Sequence, residues 1–234
     1  MVLEYWLCMF EKKQVMKYIQ IIAFLFLANP LFAQKIYDVD ENIRNNSVVI
    51  TQTARGMISD RNYQKASELL ETVMEKDPSF HAAYVNYYSA TRNIPSKTGN
   101  LIRILKESLS IFEEDDELAY YLGNVFQAEN RYPEAIKAYS EAIAFSKING
   151  EDFPIVWAYY FNRANCLLKT NQHAKAIPDY TYSLKLSPDN PDIYTNRGFC
   201  YYKTDKRAAA CDDWNKAIQF GNPASEKYLK SFCK

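Results

Sequence analysis

Two histidines, a pair of aspartates, a run of five acids and five cysteines are the side chains in this 234-residue sequence best equipped for chemistry. His81 and His173 could ligate a metal or move a proton. Neither has a second ligand at i+4, the spacing that sets two ligands on one helix face. Asp212-Asp213 imitates a catalytic pair but reads as the opening of a polar helix face. The run Glu113-Glu114-Asp115-Asp116-Glu117 could gather a cation, yet no second ligand cluster accompanies it. Acids just before an apolar helical run serve as caps, here Asp115 or Asp116 at the positive end of a helix. No glycine-rich phosphate loop or nucleophile elbow occurs. The sequence predicts no catalytic residue, no metal and no cofactor, hence a protein that is not an enzyme.

Four of the five cysteines, all but Cys8, divide into two sets. Cys166 and Cys200 stand at equivalent sites of helices expected to stack. Stacked axes lie about 8–10 Å apart, while bridged Cα atoms lie within about 7 Å, so these two read as small buried thiols. Cys211 lies ten residues before Gly221 and Cys233 ten residues after Pro223. If Gly221-Asn222-Pro223 turns the chain between antiparallel helices, arms of equal length bring these cysteines together. A bridge pinning the last helix is one expectation, and two free thiols the other.

Composition narrows the classes. The 28 basic and 28 acidic residues balance, and without residues 1–33 they number 25 and 26. Neither nucleic acid nor an anionic membrane is implied as the main partner. Six glycines disfavour a turn-rich β fold, and 15% aromatic residues disfavour disorder. Residues 16–34, MKYIQIIAFLFLANPLFAQ, have the layout of a secretory signal peptide: Lys17, the apolar run Ile19–Ala28, the Asn29-Pro30 break and a small residue, Ala33, before Gln34. The run falls short of the roughly 20 residues a spanning helix needs, with an uncleaved signal anchor as the alternative. Residues 1–15 read as a mis-assigned start or an extended n-region. The expectation is a signal peptide over 1–33 and a periplasmic or secreted product over 34–234, with no membrane insertion after cleavage.

The elements that must position these residues repeat. Leu122-Gly123-Asn124, Tyr132, Ala135, Tyr139 and Ala142 are followed by Arg163-Ala164-Asn165, His173, Ala176, Tyr180 and Ser183, then by Arg197-Gly198, Ala210, Trp214 and Ala217. The interval from Ala176 to Ala210 sets the repeat length. Ala66 keeps the phase of Ala135, two repeat lengths earlier with one residue inserted, and the run Ala66, Leu69, Leu70, Val73, Met74 marks one helix face. Helix pairs are expected over about 46–78, 79–115 (degenerate), 116–149, 154–188 and 191–222, with a cap over 223–234. Seven residues are inserted around Ile148–Asp152. Small residues at 123, 164 and 198, and at 135, 176 and 210, let paired helices approach. Tyr139, Tyr180 and Trp214 are expected to fill the space toward the next pair.

This pattern resembles the tetratricopeptide repeat. It is strong over residues 119–220, fair over 48–78 and weak over 79–115. The resemblance implies an all-α, right-handed α-α superhelix of about five helix pairs plus a C-terminal capping helix, whose first helices line a concave groove. The 210–214 run Ala-Cys-Asp-Asp-Trp, with Phe232-Cys233, resembles the closing repeat of secreted bacterial proteins of this type. In the groove the repeat phase places Tyr120, Asn124 and Gln127, then Phe161, Asn165, Leu168 and Lys169, then Thr195, Phe199, Tyr202 and Lys203. Amides there can bond a peptide backbone and aromatic rings can anchor it. The alternative is that these residues hold neighbouring repeats together. A subfamily grips a C-terminal carboxylate with asparagines and cations. Asn124 and Asn162 match its asparagines, but Tyr120, Asp192 and Asn196 replace its basic residues.

The reading is an exported scaffold that binds a protein or peptide partner through its groove. Alternatives are an accessory subunit of an envelope machine docked by another face, and a carbohydrate-binding or carbohydrate-processing protein.

Overall fold

The computed structural model describes residues 37–233. The signal-peptide reading falls on residues outside these. The described residues form eleven α-helices and no strand: α1 (Glu41–Ser59), α2 (Tyr63–Lys76), α3 (His81–Thr91), α4 (Thr98–Ser108), α5 (Asp116–Ala128), α6 (Tyr132–Asn149), α7 (Val156–Lys169), α8 (His173–Leu186), α9 (Pro191–Lys203), α10 (Arg207–Gln219) and α11 (Glu226–Phe232). Short 3-10 turns over Pro95–Lys97 and Pro223–Ser225 lead into α4 and α11. Successive helices pair as α1/α2, α3/α4, α5/α6, α7/α8 and α9/α10, and each pair packs on the next in an all-α superhelical stack.

Local chemistry sets the helix ends. Asp115 caps α5 by accepting from the Leu118 amide at 2.8 Å. Asp40 and Asn190 cap α1 and α9 in the same manner. Four pairs turn on a residue in the left-handed region, at Arg61, Asn130, Asn171 and Asp205. These share one repeat phase. In each, the next amide reaches back five residues, as from Arg131 to the Phe126 carbonyl at 2.8 Å. The degenerate second pair lacks that turn and uses the 3-10 turn at Pro95 instead. Its helices, α3 and α4, pack less extensively than those of any other pair. The inserted residues lengthen α6 to 18 residues and end it at Gly150, φ 102°.

Buried apolar residues form two clusters, one from Ala54 to Cys166 and one from Ala164 to Ala217, with Ile136 and Trp157 against both. Ala66, Ala135, Ala176 and Ala210 are fully buried, as close helix approach demands. The large rings face two ways. Tyr139 and Trp214 fold back over the glycine of their own pair and, as expected, also meet the element that follows: the Tyr139 hydroxyl shares Asn124 Oδ1 with Asn162 of α7, and Trp214 stacks on Tyr228 of α11. A Cβ built on Gly123 would lie 2.5 Å from the Tyr139 ring, and one on Gly198 would lie 2.8 Å from Trp214 Nε1 and 3.2 Å from the Ala210 carbonyl. Glycine leaves room for a ring to lie flat on the first helix, so the ring's polar tip reaches that helix: Trp214 Nε1 donates to the Thr195 carbonyl at 3.2 Å. Gly198→Leu is therefore expected to destabilise the protein by about 1–3 kcal/mol through overpacking. An unchanged thermal melt would show that Trp214 can leave this site freely.

Candidate functional site

The first helices of the pairs carry the residues expected in a groove, and the structure divides these into two groups. One group is spent on holding repeats together. The Tyr139 hydroxyl lies 2.8 Å from both Asn124 Oδ1 and Gln127 Oε1. Asn124 donates to the Tyr88 hydroxyl at 3.1 Å and accepts from Asn162 of the following pair at 3.1 Å. One repeat later the arrangement recurs: Asn165 accepts from Tyr180 at 2.7 Å and from Asn196 at 3.0 Å. Tyr120 is buried among Tyr121, Tyr139 and Tyr159. Tyr202 lies against Phe232 of α11, ring centroids 4.2 Å apart.

The other group remains at the surface. Lys169 and Lys203 are exposed, and Phe161, Phe199 and Leu168 are half-buried. Lys203 sits 5.3 Å from the centre of the Phe199 ring. The His173 ring meets Phe199 edge-on. Partial burial and the charge of Lys203 hold its pKa below the usual histidine value.

Two cavities open beside the first helices, toward the amino-terminal end of the expected groove, and Asn124 is the expected residue that lines one of them. The first, about 410 Å³, lies between α1 and α3 and is lined by Gln52, Arg55, Asn86 and Ser89. Its floor includes Gly56, where an added Cβ would meet nothing within 4 Å. The second, about 180 Å³, lies among α3, α4 and α5 beside Tyr88, Arg92, Asn93, Thr98, Leu101 and Asn124, with Glu129 the one carboxylate in its lining. Arg44, Arg103, Arg131, Arg163 and Arg197 each hold a carboxylate. Arg55 and Arg92 are exposed and hold none among the described residues. Sequence reasoning missed both because it began the groove at the third pair. The repeat phase could have found them: Arg55 stands two repeats before Asn124, and Arg92 one repeat before Gln127.

Residues with chemical potential have structural partners. Asp213 is not on a polar face. It is 3% exposed and accepts two hydrogen bonds from Arg197, at 2.8 Å each. Arg163 grips Asp179 in the same way at 2.7 Å, one repeat earlier. The signal for these pairs was present, since the two arginines, like the two aspartates, are separated by the same interval as Ala176 and Ala210. His81 pairs with Asp115 at 2.7 Å, and its hydrogen bond to that carboxylate raises its pKa. Cys166 and Cys200 are free and buried, and burial pushes both thiols up to about 12, which leaves them protonated near neutral pH. Cys211 and Cys233 are joined in a disulfide, Cα atoms 5.9 Å apart. Among the described residues no group of three or more His, Cys, Asp or Glu could hold a metal, and no helix is long and apolar enough to cross a membrane.

Comparison with known proteins follows the same line. A family model described as TPR repeat matches residues 164–205. PilF of Pseudomonas aeruginosa superposes with a TM-score of 0.64 at 18% identity, covering 77% of this chain and 79% of its own. MamA of Desulfovibrio magneticus RS-1 gives 0.63 at 13% identity, over 74% and 94%. YrrB, a TPR protein with an unusual peptide-binding site, gives 0.62 at 18% identity, over 77% and 90%. At these identities the likeness speaks for the fold alone.

Proposed function

We propose that this chain, a tetratricopeptide-repeat protein, is an exported, non-catalytic scaffold whose first-helix face holds a segment of a protein partner. One observation carries the reading. The two cavities beside the first helices are lined by amides, hydroxyls and two arginines without carboxylate partners, against one carboxylate, Glu129. Such side chains bond an extended backbone and its acidic groups. The exposed end of the same face, with Phe199, Lys169 and Lys203, offers the segment a continuation. The asparagines of the third and fourth pairs stiffen that face, which limits the ordering a partner must supply. Export rests on the layout of residues 16–34 and agrees with a disulfide between Cys211 and Cys233.

The test is capture of the partner from envelope fractions, followed by binding measurements on variants. Arg55→Ala combined with Arg92→Ala is expected to weaken binding at least about tenfold. Gly56→Leu places a side chain in the first cavity at a position where an added Cβ meets nothing within 4 Å, and is expected to weaken binding while preserving the melting temperature. Phe199→Ala reports whether the segment extends to the fifth pair. Unchanged affinity in the arginine and glycine variants would move the partner to another face.

A further inference from the structure

The degenerate second pair opens a third cavity that the groove does not use. It is the largest of the three at about 560 Å³, within the range of ligand-holding pockets. It lies between α2 and α4, the second helices of the first two pairs, and shares no lining residue with the cavities beside the first helices. Its origin is the missing motif. Where later pairs place a buried alanine and a left-handed turn, α4 follows a 3-10 turn and packs loosely on α3. The gap keeps an apolar floor of Met74, Pro78, Ile104 and Ile111.

The rim of this cavity is negative. Glu71, Glu75 and Glu107 line it against a single lining cation, Arg103. Glu107 is held by Arg103 at 2.7 Å, and Glu71 by Lys97 at 3.1 Å. Glu75 is exposed and has no cation partner among the described residues. Two backbone dipoles add to this. Glu75 lies in the last turn of α2 and Glu107 in the last turn of α4, the ends where unpaired carbonyls carry partial negative charge. The basic residues of those turns, Lys76 and Lys106, do not line the cavity. The Tyr84 phenol on its wall is pushed up to about 12, chiefly by burial, with Tyr37, Glu107 and Asp77 adding to the shift.

We infer that this cavity is a second docking site, taking a basic segment of a partner protein: a lysine or arginine whose stem lies on the Met74–Ile111 floor and whose charge meets Glu75, flanked by apolar neighbours. An apolar floor under a carboxylate rim suits a long amphipathic cation, which buries its methylenes while its charged end stays at the edge. A neutral apolar segment would leave Glu75 desolvated without a partner, and an acidic one would meet like charge. The chain would then engage basic and acidic segments on separate faces.

The probe is an acetylated hexapeptide of alternating lysine and leucine, with the glutamate–leucine hexapeptide as control. Binding is followed by amide chemical shifts of the isotope-labelled protein. The lysine peptide is expected to shift Met74, Glu75, Glu107 and Ile111, and the glutamate peptide to leave them in place. Glu75→Lys combined with Glu107→Lys, both at exposed positions, is expected to weaken lysine-peptide binding at least tenfold while the fold is retained. Arg55→Ala with Arg92→Ala is expected to change it less than twofold, separating this site from the first-helix face. Absence of shifts at α2 and α4, equal binding of the glutamate peptide, unchanged affinity in the double lysine variant, or loss of binding in the arginine variant would each overturn the assignment.

Discussion

Asp213→Ala is expected to lower stability by about 3–5 kcal/mol, the usual cost of removing one partner of a buried ion pair. The Asp213 side chain is 4% exposed and that of Arg197 is 14% exposed. Losing the carboxylate leaves a guanidinium with little water and with Thr181 as its remaining side-chain hydrogen-bond partner, at 3.1 Å. The loss corresponds to a fall of about 10 °C in melting temperature for a domain of this size. Asp179→Ala should cost less, because Arg163 and Asp179 are 22% and 9% exposed and water covers part of the loss. Replacing both partners, as in Arg197→Met with Asp213→Leu, should recover most of the stability, since no unpaired charge remains. Urea unfolding of these variants checks the order. Equal losses for Asp179→Ala and Asp213→Ala would mean that burial does not set the cost.

Reduction of Cys211–Cys233, or Cys233→Ser, is expected to cost about 3 kcal/mol on loop-entropy grounds, the bridge closing a sequence separation of 22. Helix α11 has seven residues, too few to hold helical structure alone. Its rings do the covering: Tyr228 stacks on Trp214 at 5.2 Å, and Phe232 lies 4.2 Å from Tyr202. Released from the bridge, α11 should fray and admit water to Trp214, which is fully buried in the intact protein. A lower melting temperature under reducing conditions, with a red shift of tryptophan emission, is the expected pair of signals. Identical melts with and without reductant would show that the aromatic stack holds α11 unaided.

The repeat phase was legible wherever a small residue marked a helix contact. The spacings of Gly123, Gly198, Ala135 and Ala210 report steric necessity, and sterics tolerates few substitutes. The polar partners were harder to read. Asp213 looked like a surface acid because a carboxylate carries no mark of its burial until Arg197 is placed beside it. Asn124 and Asn165 looked like groove residues because repeat phase sets the direction of a side chain, not whether a tyrosine from the second helix will occupy its amide. The cavity between α2 and α4 was illegible for a further reason. It arises where the pattern fails, and a missing alanine does not say whether neighbouring helices close the gap or leave it open.

A stack of helix pairs has no natural end. Each pair offers the next the kind of face it received from the one before, so a bare last pair is a template on which another copy could seat, and growth by that route yields filaments rather than particles. The covalently fastened α11 removes the template. It turns Glu226, Lys227 and Lys230 outward where Trp214 and Tyr202 would otherwise lie, so what the next copy would meet is hydrated charge. The bridge thus bears on the character of this face as well as on stability: it fastens exposed charge over rings that the fifth pair would otherwise leave bare.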